Sequence, residues 1–151
     1  TQNGRQYLIA WDENSKRFFN YRLDRIKTIT ILDSSSADVG KRHEQYRQIE
    51  KHMWGVSLGD GEKVHVEFCV KVKEDEAYII NRLYREVRCG TVEPVPDSPG
   101  LVKFSADVYD AHEMFPWIRT FICRIVSLKI SDHELEKHFW KAISDMYDIY
   151  F

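Results

Sequence analysis

The sequence has no apolar run of the roughly 20 residues that a membrane-spanning helix requires, and nothing at its start resembles a signal peptide. Its three cysteines, Cys69, Cys89 and Cys123, are far apart and form no CxxC pair. This spacing argues against a structural zinc site. We therefore expect reduced cysteines in a cytoplasmic protein.

An excess of positive charge is also missing, because 22 basic and 24 acidic residues leave a net charge of -2. A domain that binds duplex DNA by itself usually carries a clear positive excess, since phosphate neutralisation supplies most of the affinity. Any contact with nucleic acid must therefore come from a local patch or from another part of a longer protein. Hydrophobic residues make up 43% of the chain and aromatic residues 13%, which is enough for a folded core.

Motifs for catalysis or metal binding are absent as well. His133 and His138 lie five positions apart, so on a helix they would point roughly 140° apart and could not share a metal ion. The segment Gly59–Lys63 lacks the spacing of a phosphate-binding loop, and no GxSxG motif occurs. We expect no enzymatic activity, no metal site and no cofactor.

The first third of the chain predicts short strands followed by one exposed helix. Apolar or alternating runs predict strands at Tyr7–Trp11, Lys16–Tyr21 and Ile26–Leu32. Residues 33–38 form a polar stretch that is typical of a linker. Lys41–Trp54 then has a narrow apolar stripe at helical spacing, which predicts a helix with most of its surface in solvent.

From residue 64 onward the pattern predicts strands and helices in the order β-α-β-β-α-β, followed by a terminal helix. This order is that of a split βαβ, or ferredoxin-like, unit. Ser131 and Glu134 match a capping box at the start of the last helix. The predicted strands are Val64–Val72, Thr91–Val95, Leu101–Tyr109 and Arg124–Ile130, and the predicted helices are Glu74–Arg88, Phe115–Ile122 and the terminal one from Ser131.

The segment Lys16–Lys27 (KRFFNYRLDRIK) is unusual because it holds three arginines, two lysines and a single acid among aromatic residues. Arginine binds phosphate or carboxylate through two parallel hydrogen bonds, and flat rings can stack on bases. The residues alone favour two interpretations. They form either a site for a nucleotide-like anion or a solvated strand pair whose arginines bridge to acids such as Asp24.

The run Tyr21–Ile26 (YRLDRI), preceded by Gln6-Tyr7-Leu8, resembles the core motif of the WYL domain family. Gln6 stands where the family has its tryptophan, and Phe19 stands where the family has an arginine. The resemblance implies an α+β protein with two parts. Residues 1–55 would form part of a small Sm/SH3-like β-barrel with a trailing helix, and residues 56–151 a ferredoxin-like C-terminal extension with a C-terminal helix.

The resemblance also implies a function, namely the effector-sensing and oligomerisation region of a bacterial DNA-binding transcriptional regulator. Such a region binds a nucleic acid or nucleotide-like anion, forms a homodimer, and reaches DNA through a helix-turn-helix domain outside this chain. The ligand-binding residues would be Tyr7, Arg17, Tyr21, Arg22, Asp24, Arg25 and Lys27. The alternative is a dimerisation and assembly module that binds no ligand and whose arginines are structural.

Overall fold

The computed structural model describes residues 4–31, 38–59 and 61–150, without the side chain of residue 150. The chain begins with an antiparallel hairpin of β1 (Tyr7–Asp12) and β2 (Arg17–Arg22). The Asp12 carboxylate closes the turn by accepting hydrogen bonds from the backbone N–H groups of Asn14 and Ser15. A short 3-10 turn, Leu23–Arg25, follows β2. The first two predicted strands are therefore confirmed.

The third predicted strand, Ile26–Leu32, is wrong for its described part, because residues 26–31 form no strand. Ile29 is 70% exposed and Ile31 93% exposed. Alternation of apolar and polar residues stabilises a strand only when a neighbouring strand pairs with it, and no described strand pairs with this segment. Residues 33–37 of the predicted linker lie outside the described residues, and the small barrel remains a prediction.

Helix α1 (Val39–Glu50) is amphipathic along a narrow stripe only, as the sequence predicts. None of its residues is fully buried, and its half-buried side chains are Arg42, Tyr46 and Ile49. The Asp38 carboxylate caps its first turn by accepting a hydrogen bond from the Lys41 N–H. The helix ends at Glu50, four residues before the predicted end at Trp54.

The second part of the chain is a four-stranded antiparallel sheet with helices against one face. Its strands are β3 (Val64–Lys71), β4 (Thr91–Pro94), β5 (Leu101–Val108) and β6 (Ile125–Ile130), in the spatial order β4-β5-β3-β6. Helix α2 (Ala77–Glu86) connects β3 to β4, and β5 lies between these two strands, which is the split βαβ connection. The α+β class and the predicted order of elements are therefore confirmed.

Alternation places one side of each strand in the core. Phe68 on β3 lies opposite Phe104 on β5 and Leu128 on β6, and these residues are buried together with side chains from the helices. The helices are α2 (Ala77–Glu86), α3 (Phe115–Arg119) and α4 (His133–Tyr150). None of the described helices is long and apolar enough to cross a bilayer.

The cap of α4 differs from the predicted one. Asp132, not Ser131, caps the helix, because its Oδ1 accepts hydrogen bonds from the N–H groups of Glu134 and Leu135. The Ser131 hydroxyl instead accepts a hydrogen bond from the backbone N–H of His65 at 2.9 Å. The Ser131 side chain, which the local pattern assigns to the cap, therefore forms a tertiary contact with β3 instead.

The segment from His52 to Gly59 connects the two parts and packs on the second. Trp54 is 4% exposed, and its ring centroid lies 4.5 Å from that of Trp117. The Glu113 carboxylate accepts hydrogen bonds from the N–H groups of Val56 and Ser57. The boundary between residues 55 and 56 stays a prediction, and Trp54, on its amino-terminal side, belongs to the core of the second part.

Candidate ligand-binding groove

A groove of about 980 Å³ lies between the hairpin, helix α1 and residues 56–59. We call it the amino-terminal groove. Strand β2 supplies its lining from Arg17 to Arg22, β1 contributes Tyr7 and Trp11, and α1 contributes Gln45 and Ile49. Its walls are mostly aromatic and aliphatic, which is the composition of a small-molecule site.

The charged side chains that line the amino-terminal groove are all cationic, and two of them, Lys16 and Arg22, pair with the acids Glu13 and Asp24 just outside the lining. Its lining includes four cationic side chains, those of Lys16, Arg17, Arg22 and Arg25, and no Asp or Glu among the described residues. This imbalance is local, since the chain as a whole has a net charge of -2. A concave apolar wall beside fixed cations strengthens their attraction for an anion, because low-dielectric material screens charge less than water does.

The strand register separates the predicted ligand-binding residues into two sets. Arg22 lies opposite Tyr7, and both are on the hairpin face that carries Trp11, Phe18 and Asn20. Arg17 and Tyr21 are on the other face by the same alternation. The amino-terminal groove has lining residues on both faces of the hairpin, and no described strand pairs with the outer edge of β2.

Five of the seven predicted residues line the amino-terminal groove, and two do not. The five are Tyr7, Arg17, Tyr21, Arg22 and Arg25, and the two outside the lining are Asp24 and Lys27. Lys27 is exposed in the segment after the 3-10 turn. The structure therefore brings most of the set together, while the role of each residue as a ligand contact stays a prediction.

Asp24 holds Arg22 in place. The Arg22 Nε donates a hydrogen bond to Asp24 Oδ1 at 3.0 Å, and a second guanidinium nitrogen donates to Oδ2. Arg22 lowers the pKa of the Asp24 carboxyl, with a smaller contribution from Arg25, and Asp24 in turn raises the pKa of Arg22. A two-point pair of this kind fixes the plane of the guanidinium group.

The other cations of the lining differ in their surroundings. The Arg17 guanidinium lies over the Phe19 ring, 4.6 Å from its centroid. Lys16 pairs with Glu13 at 2.7 Å across the hairpin turn. Arg25 is exposed and forms no hydrogen bond or ion pair with another described residue, apart from its electrostatic effect on Asp24.

Sequence reasoning identified the aromatic residues of Lys16–Lys27, but not the cluster that Phe18 forms with Trp11 and Tyr46 at the amino-terminal groove. The Trp11 and Phe18 rings meet edge to face at 5.0 Å, and Phe18 meets Tyr46 of α1 at 5.8 Å. The Arg42 guanidinium covers Trp11 at 3.8 Å. Alternation along β2 could have placed Phe18 on the same face as Arg22, but the contact with Tyr46 depends on how α1 packs.

Two buried polar atoms in this lining have no hydrogen-bond partner among the described residues, Nε1 of Trp11 and Oδ1 of Asn20. The Asn20 amide is nevertheless fixed, because its Nδ2 donates to the backbone oxygen of Val56. Sequence reasoning gave no role to Asn20 or to residues 56–59. Among the described residues there is no group of three or more His, Cys, Asp or Glu side chains that could hold a metal ion.

Comparison with known proteins gives one match, which covers the hairpin. The family model of the WYL domain matches residues 1–31, a range that contains both strands and all four cations of the lining. No curated protein and no solved structure gives a significant match. Residues 1–31 are therefore similar to the WYL domain, a domain that occurs in transcriptional regulators.

Proposed function

We propose that this chain is the effector-sensing region of a bacterial transcriptional regulator, and that its amino-terminal groove binds a nucleic acid or a nucleotide-like anion. The observation that carries the proposal is the lining of this groove, which combines four cationic side chains with aromatic rings and contains no carboxylate among the described residues. A phosphate needs the cations, and a base can stack on the rings.

The positions of the arginines support a phosphate or carboxylate as the charged group. Arg22 is already oriented by Asp24, so less conformational entropy is lost when it binds an anion. Arg25 is exposed next to it and has donors available. Bidentate pairing of guanidinium groups with phosphate is stronger and more directional than pairing of an ammonium group.

In the proposed regulator, this region senses and does not catalyse. DNA contact is assigned to a helix-turn-helix domain outside this chain, and the functional unit is a homodimer. An effector can change DNA binding only if its affinity differs between two arrangements of that dimer. The WYL match of residues 1–31 supports this placement in a regulator.

Fluorescence anisotropy of short labelled oligonucleotides and of a labelled mononucleotide tests the proposal. The informative variants are Arg25→Gln and Lys27→Gln, because both remove one positive charge from an exposed side chain and only Arg25 lines the amino-terminal groove. We expect Arg25→Gln to weaken binding about 5- to 30-fold, as for loss of one charge-assisted hydrogen bond. Lys27→Gln should change the affinity less than twofold at about 0.15 M salt, where distant charges are screened.

An equal loss of affinity in the two variants would mean that the ligand is held by diffuse electrostatic attraction, and would exclude a specific site at Arg25. A single-stranded ligand that is held by phosphate contacts also binds more weakly as the salt concentration rises. The logarithm of its association constant falls with the logarithm of the salt concentration, with a slope of about −0.7 per phosphate contact. Absence of binding by every oligonucleotide and nucleotide would overturn the proposal.

A second candidate function is an assembly module that binds no ligand. It is favoured by the Arg22–Asp24 pair, which gives one arginine a structural partner, and by exposed apolar side chains on α4. Trp140 is 40% exposed, Tyr147 61% and Ile149 77%. Sedimentation velocity would then show a concentration-dependent dimer in a protein that binds none of the probes.

A further inference from the structure

We propose that two copies of this chain exchange a strand. Residues 27–31, which we call the exchange segment, pair in each copy with the outer edge of β1 (Tyr7–Asp12) of the other copy. The proposal goes beyond the proposed function, because it names the surface through which two copies join.

The exchange segment (KTITI) has a strand pattern but no strand partner. Its backbone groups form no hydrogen bond with the rest of the described chain. Ile29 is 70% exposed and Ile31 93% exposed. β-branched side chains favour strands because they pack against the side chains of a neighbouring strand. An exposed strand of this kind therefore suits the free edge of a sheet.

The hairpin has such a free edge on β1. β1 pairs with β2 on one side, and no described strand pairs with its other side. The Leu23 N–H donates to the Gln6 oxygen at 3.0 Å. Because bonded pairs alternate along an antiparallel ladder, Tyr7, Ile9 and Trp11 direct their backbone N–H and C=O groups to the outer edge. A two-stranded hairpin is only marginally stable, and a third strand stabilises it.

One antiparallel register matches the side chains of the two surfaces. In this register two apolar pairs and one pair of opposite charge lie on the same face of the sheet. The pairs are Ile31 with Leu8, Ile29 with Ala10, and Lys27 with Asp12. Cross-strand pairs of these kinds stabilise a sheet, and Leu8 is 42% exposed until it is covered. A slip of one residue would turn both isoleucines to the other face.

The same register also satisfies the backbone. It places Thr30 opposite Ile9 and Thr28 opposite Trp11. Ile9 and Trp11 are residues whose backbone groups point to the outer edge, so each threonine can exchange two hydrogen bonds with its partner. The side chains and the backbone therefore favour the same alignment.

The exchange segment cannot reach this position in its own copy. Arg22 lies opposite Tyr7, at the start of β1. Lys27 would have to lie beside Asp12, at the end of β1 and about 17 Å further along the strand. The 3-10 turn Leu23–Arg25 limits the reach from Arg22 to Lys27 to about 13 Å. A second copy can supply the strand and receive one in return, which gives a closed dimer.

The exchange leaves both amino-terminal grooves accessible. Strand β2 supplies the lining from Arg17 to Arg22, whereas the exchange segment pairs at the opposite edge of the hairpin. Neither residues 27–31 nor Leu8, Ala10 and Asp12 belong to the lining. Pairing of the two copies and binding of an oligonucleotide are therefore separate properties and can be measured separately.

Disulfide crosslinking tests the register. The Leu8→Cys and Ile31→Cys variants, mixed in equal amounts and oxidised, should form a covalent dimer. Directly opposite residues of this kind have Cα atoms about 4.5 Å apart, which allows a disulfide. Mass spectrometry of the digested dimer should locate the bond between positions 8 and 31, and so exclude the natural, exposed Cys123. A mixture of Leu8→Cys and Thr30→Cys is the control, because position 30 faces the other side of the sheet.

Sedimentation velocity tests the contribution of the strand. Thr30→Pro removes the N–H that would donate to the Ile9 oxygen of the other copy. The dissociation constant of the dimer should rise about tenfold or more, because one such hydrogen bond is lost at each of two edges. Ile149→Asn is the matched control, since Ile149 is 77% exposed on α4. This variant should dimerise like the unaltered protein.

The outcomes separate this proposal from the proposed function. A protein that is monomeric at every concentration overturns the exchange, as does a dimer that Thr30→Pro leaves intact. A bond between positions 8 and 31 within one chain, formed in the Leu8→Cys/Ile31→Cys double variant, also overturns it. Anisotropy of the labelled oligonucleotide on the same samples reports on the groove alone. An intact dimer that binds no oligonucleotide or nucleotide overturns the proposed ligand and supports the exchange.

Discussion

Glu76 and Arg124 join two segments of the second part of the chain that lie 48 positions apart. The Arg124 Nε donates to Glu76 Oε2 at 2.9 Å, and the Lys73 backbone N–H donates to the same oxygen at 3.0 Å. Arg124 first, and then the Lys73 N–H, lower the pKa of the Glu76 carboxyl below its ordinary value. This pair fastens the start of α2 to the segment before β6.

The Glu76→Gln variant should lose stability in a way that depends on pH. Because the pKa of Glu76 is lower in the folded protein, its charge stabilises the fold above the unfolded pKa of about 4.3. That contribution disappears as the pH falls through the folded pKa. Thermal unfolding between pH 7 and pH 3 should therefore show a difference between the unaltered protein and the variant that shrinks towards acid pH.

Glu134→Gln is the matched control, because Glu134 also pairs with a cation but its side chain is 83% exposed. Exposed pairs contribute little to stability, so this variant should unfold close to the unaltered protein at every pH. An equal loss in the two variants, or a Glu76→Gln loss that is constant from pH 7 to pH 3, would contradict the assigned role of the pair.

The sequence predicted the composition of the amino-terminal groove better than its geometry. Arg22 and Arg25 were identified in a basic segment rich in aromatic residues, Tyr7 followed from the resemblance to the WYL domain, and all three line the groove. Asn20 was not identified, because its place in the lining goes with a hydrogen bond to the backbone oxygen of Val56, 36 positions away. A side chain whose partners are distant in sequence leaves no local signal.

At the scale of elements, alternation of apolar and polar residues predicted one strand correctly and another one wrongly. Val64–Lys71 forms the strand that its pattern predicts, because β5 and β6 pair with it on both sides. The segment from Ile26 has an equally regular pattern, yet its described part forms no strand. Alternation reports which side of a strand is apolar but not whether a neighbouring strand exists.

Gly90 connects α2 to β4 and occupies a position that no other residue could take without strain. Its φ is +88°, and a Cβ atom there would lie 2.3 Å from the backbone oxygen of Ser105. Gly90→Ala should destabilise the protein by about 2 kcal/mol or more, since a positive φ alone costs an alanine roughly 1–2 kcal/mol. The melting temperature should fall by at least about 4 °C.

Gly61→Ala provides the comparison, because a Cβ atom at Gly61 would meet no described atom within 4 Å. Calorimetry of the two variants separates the general cost of replacing glycine from the specific clash. If the Gly90→Ala and Gly61→Ala variants have the same melting temperature, then β4 and β5 do not pack in the register that the structure shows.

At the scale of the whole molecule, the segment from His52 to Gly59 belongs to both parts. Residues 56–59 line the amino-terminal groove, while their anchors lie in the second part. The Ser57 hydroxyl donates to Asp110, and a Cβ atom at Gly59 would overlap the Tyr109 ring. No pattern in the sequence predicts these contacts, which join residues about 50 positions apart.

Substitution of Glu113, which lies outside the groove, should make residues 56–59 less ordered. Glu113 does not line the amino-terminal groove, and its carboxylate accepts the hydrogen bonds of the Val56 and Ser57 N–H groups at 3.0 and 3.3 Å. In Glu113→Ala both N–H groups lose their acceptor. We expect faster hydrogen exchange at residues 56 and 57, measured without any ligand, and a stability loss of about 1–3 kcal/mol.

The same variant should bind the labelled oligonucleotide about threefold or more weakly, because a wall that is ordered only part of the time lowers the apparent affinity in proportion. Simple electrostatics makes the opposite prediction, since removal of an acid from the protein should strengthen its attraction for an anion. Glu134→Ala removes the same charge from an exposed site on α4 and measures that effect alone. Tighter binding by both variants would mean that residues 56–59 do not form a wall of the groove when the oligonucleotide is bound. Weaker binding by Glu113→Ala alone would mean that contacts in the second part of the chain affect the affinity of the groove.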